Sequence, residues 1–396
     1  MYTAEIVNGV NFYGICTDKF PTVSLCVLLR TPIKRETVTG NAMIAKGILN
    51  GCKNYKSRRL IECKSEEINT SISANILKKG EEHIIEIMCK TTDTYTEDAI
   101  ELLGNILMEP EFNNMDTVIL ETENAINLSI NNKRTYTVEK CIEIMCEKEP
   151  YGINGDGYIE DIRNVDIHAH YKNAIDNSKI DIIAIGNFNF EDIKDYIKKY
   201  IPFKERDIII DPCNYMYYPS EPKNITENMD ITQGKLCIGI RLNISPVGSN
   251  WYKAIVANEL FGGSASSALF MEARESQSLC YYISSKLLRF KSIMLIEAGI
   301  DSKNKDKVIE IVEKAFKNIS DDNIEIAKNN IITGYKMSQD KPERIMDNIL
   351  GGLIAGCNKT INEAINDIEK IDSISGIFDD SIIDTIFMLQ KEDIND

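Results

Sequence analysis

Histidine is scarce in this chain: there are three in 396 residues, beside a single tryptophan. A protein metal centre gathers three or four donors on one ion, and imidazole is the commonest of them. Three scattered rings cannot assemble such a centre. His168 and His170 stand two apart on a predicted helix, about 200° around its axis, and cannot converge. His83 opens a predicted strand behind Lys79-Gly80-Glu81-Glu82, where the alternation of its neighbours makes it a half-buried or surface residue.

Other absences narrow the field further. No C-x-x-C pair occurs among eleven cysteines scattered from Cys16 to Cys357, so reduced, mostly buried thiols are expected rather than a disulfide or metal framework. No G-x-S-x-G elbow or local cysteine-peptidase signature is present, which argues against a serine or cysteine nucleophile. The run Phe261-Gly262-Gly263-Ser264-Ala265-Ser266-Ser267 lacks both the Gly-Lys-Ser/Thr end of a phosphate loop and the G-x-G-x-x-G spacing, so nucleotide binding is not expected. Basic surplus is missing too. At a net charge of −16 and a pI near 4.9 the chain has no stripe of Lys and Arg with which to displace counterions from a nucleic acid. No apolar run approaches the roughly 20 residues of a membrane span. The opening Met1 to Val7 has neither the basic nor the apolar region of an export signal. A cytoplasmic protein without membrane association is therefore expected.

What is present is an ordinary globular composition, 43% hydrophobic and 27% charged, in a chain long enough for two or more cores. It carries a long-period repeat. Ser24-Leu25-Cys26-Val27-Leu28-Leu29-Arg30 and Lys235-Leu236-Cys237-Ile238-Gly239-Ile240-Arg241 are both apolar, strand-like runs ending in Arg. Each is followed by a turn and a helix (Thr37 to Leu49; Trp251 to Leu260), then by a second strand (His83 to Cys89; Ile293 to Ile300) and an amphipathic helix. In the first copy of that helix Ile100, Leu103 and Leu107 share a face up to Pro110; in the second Val308, Ile311 and Val312 do so. Three further helices follow in each half: Asp116 to Ile130, Val138 to Cys146 and Asp166 to Ala174, against Asp322 to Tyr335, Pro342 to Ala355 and Ile361 to Ile371. Each half closes on a strand, Ile180 to Ile185 or Ile383 to Leu389. This pattern predicts an α+β protein of two homologous domains, each a mainly antiparallel sheet packed on helices: residues 1–206 and 231–396. Between them the proline- and asparagine-rich stretch 207–230 reads as a linker.

Particular motifs give the repeat a family. Ala257-Asn258-Glu259-Leu260-Phe261-Gly262-Gly263, then Leu269-Phe270-Met271-Glu272-Ala273-Arg274-Glu275 and Leu279-Cys280-Tyr281, resemble the C-terminal-domain signature of insulinase/pitrilysin-type metallopeptidases, the inverzincins. Glu149-Pro150-Tyr151-Gly152 with Gly155 and Gly157, and Ile182-Ile183-Ala184-Ile185-Gly186-Asn187, are similar to first-domain segments of the same family, with Glu in place of a His. The resemblance covers nearly the whole chain and is nearest to bacterial members of the YfmF-like type, usually encoded beside a zinc-bearing homologue. Active members carry His-x-x-Glu-His on the first helix. Two imidazoles at i and i+4 share a helix face there, hold one ion, and leave the Glu to activate its water. Here the matching stretch is Gly40-Asn41-Ala42-Met43-Ile44-Ala45-Lys46-Gly47-Ile48, with Met43, Lys46 and Gly47 at the motif positions and no zinc donor among them. A later carboxylate, Glu121 or Glu123, cannot hold the ion alone.

The resemblance implies a non-catalytic subunit without a cofactor of its own, whose zinc would lie in a homologous partner chain. Arg274 and Tyr281 match the pair that in this family hydrogen-bonds substrate near the scissile carbonyl. The neighbouring Tyr282 would face the other side of a strand. Gly262 and Gly263 match a glycine-rich loop that touches substrate in related subunits. Expected partners are the zinc-bearing homologue in a heterodimer, or a second copy when alone, and a peptide substrate. The alternative from another class is an inert scaffold or peptide-binding protein of the same fold.

Overall fold

The computed structural model describes residues 1–219 and 221–391. Two sheets organise them. The first runs β1 (Tyr2–Val7), β2 (Val10–Cys16), β6 (Lys179–Gly186), β3 (Thr22–Pro32), β5 (Glu82–Thr92), β4 (Ser71–Lys79); the second runs β7 (Lys223–Met229), β11 (Ile382–Lys391), β8 (Gly234–Arg241), β10 (Ile293–Ile300), β9 (Cys280–Leu288). With β1 set aside, the two orders correspond strand for strand. In each, one parallel pair, β2 with β6 or β7 with β11, joins an otherwise antiparallel ladder. The expected class is therefore observed: an α+β protein with two mainly antiparallel sheets, each packed against helices.

Twelve α-helices accompany the sheets among the described residues: α1 (Arg35–Gly47), α2 (Arg58–Glu67), α3 (Thr96–Met108), α4 (Met115–Asn131), α5 (Lys133–Met145), α6 (Ile167–Asn177), α7 (Phe190–Tyr200), α8 (Ser249–Asn258), α9 (Lys305–Lys317), α10 (Ile324–Ser338), α11 (Pro342–Ala355) and α12 (Ile361–Glu369). Their starts follow local chemistry. Asp166 caps α6, Asn189 caps α7, and Thr360 with Glu363 forms a full capping box at α12, each satisfying amides that have no intrahelical partner. None of these helices is long and apolar enough to cross a membrane.

The contacts divide the chain into two units that do not follow chain order. One holds Met1–Leu128, Ile153–Asp211 and Lys341–Asp347; the other holds Ser129–Gly152, Pro212–Asp340 and the chain from Asn348 onward. In the first unit, Leu25, Val27 and Leu29 of β3 meet Met43, Ile44 and Ile48 of α1 and Leu103 and Leu107 of α3 in one core. In the second, Val138, Cys141, Ile142 and Met145 of α5 pack on Cys237, Leu295, Phe387 and Leu389 of the sheet. Burying four such side chains supplies several kcal/mol, at roughly 1.5–3 kcal/mol per large aliphatic.

The repeat extends to buried charge. Arg30, last in the first apolar run, donates to both oxygens of Glu82 at 2.8 and 2.9 Å and to Asp181 on β6. Arg241, last in the second run, donates to Asp384 on β11 at 3.0 Å and to Glu149 at 2.5 Å, and Lys291 reaches Glu149 at 2.5 Å as well.

Three details depart from expectation. The stretch 207–230 is more than a linker, since Lys223–Met229 forms the edge strand β7 paired with β11. The 129–152 segment packs with the second unit, although its place in the chain puts it in residues 1–206. His83 is fully buried, because it lies on the core face of β5 with Ile85, Ile87 and Cys89, whereas Lys90 on the other face is exposed.

Candidate functional site

In the second unit, α8 runs into a wide π-type turn at Glu259–Gly263, and another at Phe270–Ser276 leads into β9. Such i to i+5 turns recur at functional sites because they re-aim side chains. Arg274 sits in the second turn with its guanidinium over the Phe270 ring, 4.8 Å from the centroid, and its Nε 3.9 Å from Glu275. Its side chain is 44% exposed. Tyr281, second residue of β9, is 61% exposed, whereas Tyr282 on the opposite face is half-buried under Arg134 and Lys235. Among the described residues no hydrogen bond joins Arg274 to Tyr281. Both present their polar ends to solvent.

The glycine pair has two different settings. At Gly262 a Cβ would lie 2.5 Å from Ser285 Oγ and 2.9 Å from Ser285 Cβ, so this buried glycine lets the end of α8 close on β9. Ser285 in turn donates to Asn258 at 2.8 Å. Gly263 is exposed, and a Cβ there would meet only the flexible end of Glu259 and part of Asn258. Close packing thus accounts for Gly262, and Gly263 is the member of the pair with an open surface.

In the first unit, α1 shows what became of the motif positions. Met43 lies in the core, and at Gly47 a Cβ would stand 3.1 Å from both Phe112 and Val118, so these two face inward. Lys46 faces solvent. Ala42 and Ala45 are buried as well, so from Gly40 to Ile48 only Lys46 shows on the helix's outer face. With Met43 turned into the core, Lys46 an ammonium and Gly47 without a side chain, the three motif positions offer an ion no donor. Among the described residues no group of three or more His, Cys, Asp and Glu is placed to hold a metal. Glu121 lies 3.8 Å from Arg58, and Glu123 lies 3.5 Å from Arg163, both as partly exposed ion pairs. Zinc does not fit this chain's own residues.

Next to that face lies a polar chain that sequence reasoning missed. Asn41, buried in mid-helix, bonds through its amide nitrogen to His83 Nδ1 at 3.0 Å and through its oxygen to His170 Nε2 at 2.9 Å. His83 Nε2 reaches the Gly155 carbonyl at 3.0 Å. Burial lowers His83 to about 4, with Lys78 and His170 acting the same way and the Gly155 carbonyl opposing. His170 is lowered by burial too. His168, two residues away, instead sets its ring edge-on to Phe112. An Asn inside an apolar helix was the available signal, since a buried amide requires partners.

Comparison with known proteins adds to this geometry. A family model described as the peptidase M16 inactive domain matches residues 161–331. The chain is 28% identical over 327 residues to a protein of Bacillus subtilis named probable inactive metalloprotease YmfF, covering 78% of this chain and 77% of that one. It is 20% identical over 395 residues to the uncharacterized zinc protease YmxG of the same organism, covering 93% and 92%. Among solved structures, a conserved protein from Enterococcus faecalis superposes with a TM-score of 0.92 at 23% identity, over 100% of this chain and 99% of that one, which is a likeness of fold.

Proposed function

We propose that this chain, a member of the insulinase-like M16 peptidase family of the kind without zinc ligands, holds peptides for a zinc-bearing homologue in a two-chain peptidase. The observation that carries the reading is the exposed pair Arg274 and Tyr281, mounted on a turn and strand fixed by the close fit of Gly262 against Ser285. A planar cation and a phenol are suited to hydrogen-bond a peptide carbonyl and the negative charge that grows on it during hydrolysis. Gly263, at the end of the turn whose Gly262 packs on β9, adds an exposed backbone edge. Hydrolytic chemistry belongs to the partner, whose zinc supplies the activated water; this chain binds and orients. Short or unfolded peptides, a propeptide for instance, are the substrates, and the complex works in the cytoplasm. Similarity to both an inactive metalloprotease and a zinc protease of one organism supports such a pairing.

The test is reconstitution with a His-x-x-Glu-His homologue. Arg274→Ala should lower kcat/KM for peptide hydrolysis about a hundredfold, as expected for a donor worth roughly 3 kcal/mol, and Tyr281→Phe by about tenfold, while co-elution on size exclusion is unchanged. Full hydrolysis by both variants would sink this reading and leave the inert scaffold, for which the pair has no use.

A further inference from the structure

The first unit contains a cavity of about 360 Å³ formed where the end of α3, one face of α6 and the chain after α7 meet. None of its residues takes part in the function proposed above. Its body is apolar and aromatic: Phe112, Tyr171, Ile175 and Phe203 line it. That is the size and character of small-molecule sites, which combine apolar walls with a few placed polar groups.

The polar groups here carry an unusual charge. Arg206 lines the cavity and is only 8% exposed, yet no carboxylate pairs with it among the described residues. Its Nη1 donates to the carbonyls of Ile175 and Ser178 at 2.8 and 3.0 Å, and its Nε to that of Lys204 at 3.2 Å, which leaves Nη2 without an acceptor. The guanidinium also rests 5.7 Å from the centre of the Phe203 ring. A buried charge without a counter-ion is costly, and backbone carbonyls do not neutralise it. Burial pulls the Arg206 pKa down, and the nearby Asp176 carboxylate, itself bound to Lys204, opposes this without reversing it.

The remaining charged groups at the cavity leave the surplus in place. Glu109 is engaged by Lys53 at 2.7 Å and Asp176 by Lys204 at 3.2 Å, while Lys172 has no carboxylate partner among the described residues. In a chain of net charge −16, a cavity with an excess of cations is an exception. One wall is also held in an unfavourable conformation: Phe112 has φ of +47°, a left-handed backbone that bulky residues rarely adopt and that recurs where ligands bind.

We propose that this cavity binds a small organic anion, a carboxylate carried on an aromatic or aliphatic body. The carboxylate lies against Arg206 and Lys172, and the body fills the space between Phe112, Tyr171 and Phe203. Two sources share this chemistry, a free acid and the C-terminal residue of a hydrophobic peptide.

The test is calorimetric titration of the full chain with 3-phenylpropanoate, its neutral amide, and N-acetyl-phenylalanine. The acid should bind at least about tenfold more tightly than the amide, since a charge-assisted hydrogen bond exceeds a neutral one by that order. A preference for N-acetyl-phenylalanine over 3-phenylpropanoate assigns the peptide source, and the reverse assigns the free acid. Arg206→Gln should abolish the difference between acid and amide. Because Arg206 also ties three carbonyls, the exposed Lys172→Glu serves as a second variant that leaves the fold intact and should weaken the acid by about tenfold without moving the amide. Equal binding of acid and amide, no binding of either, or full affinity in the Lys172→Glu protein would each overturn the proposal.

Discussion

His83 shows how far a single side chain can depart from its appearance in sequence. Its alternating neighbours suggested a half-buried or surface residue, but His83 sits on the fully buried face of β5 with Ile85, Ile87 and Cys89, and periodicity does not say how deeply the first residue of a strand is covered. The consequence is thermodynamic. With its pKa lowered from 6.5 to about 4, folded His83 resists a proton that the unfolded chain accepts. Stability should therefore be unaffected above pH 6.5 and should fall as pH drops toward 4, by on the order of 3 kcal/mol in all. Urea melts between pH 7 and 4 check this. His83→Gln, which keeps an amide for the Asn41 contact, should flatten that limb of the curve. An equally steep limb in the variant would assign the titration elsewhere. Arg274 and Tyr281 were nameable from sequence because motif spacing carries them. Asn41, His83 and His170 were not, since a relay of three residues 42 and 129 positions apart leaves no local pattern.

Among the elements, helices were the most legible. Pro342–Ala355 is observed with its predicted limits, and α4 and α6 differ from expectation by one to three residues. Element neighbours were less so. The pattern identified Val138 to Cys146, the later part of α5, as a helix but could not say which sheet it would cover, because Val138, Cys141, Ile142 and Met145 suit either. The answer lies in charge as well as packing: Glu149, just beyond α5, meets both Arg241 and Lys291, and those bonds outweigh its burial and hold its carboxyl below the usual range. This is the first residue of the Glu149-Pro150-Tyr151-Gly152 motif. Glu149→Ala would leave two cations buried without it, and should cost about 3–5 kcal/mol in chemical denaturation. A loss below 1 kcal/mol would mean that the clamp contributes little. β7 escaped notice for a simpler reason: Lys223–Met229 is an edge strand with only modest apolar content, set in a stretch dominated by Pro and Asn.

For the molecule as a whole, the internal repeat was the strongest reading, and the strand orders bear it out down to the parallel pair in each sheet and the Arg that ends each first run. The division of the chain was read only in outline, because cutting a sequence at its linker assumes that units are contiguous. They are not. A fragment beginning at Pro212 lacks Ser129–Gly152 and with it one wall of the core around Phe387 and Leu389. Expressed alone it should be molten or aggregated, by loss of near-ultraviolet dichroism, and the same fragment with residues 129–152 fused through a flexible tether should recover a cooperative thermal transition. A cooperative transition in the untethered fragment would refute the dependence.

In both sheets the strand made last is inserted at the interior, β6 between β2 and β3 and β11 between β7 and β8. A nascent chain emerging from the ribosome therefore cannot close its second sheet while Ile382–Lys391 is still in the exit tunnel. Until that strand emerges, β7 and β8 each present an unpaired flank, and α5 has been waiting since the synthesis of the first half. Stop codons between residues 241 and 382 should yield products whose second sheet stays open between β7 and β8, and whose second unit proteases cleave as an unfolded chain.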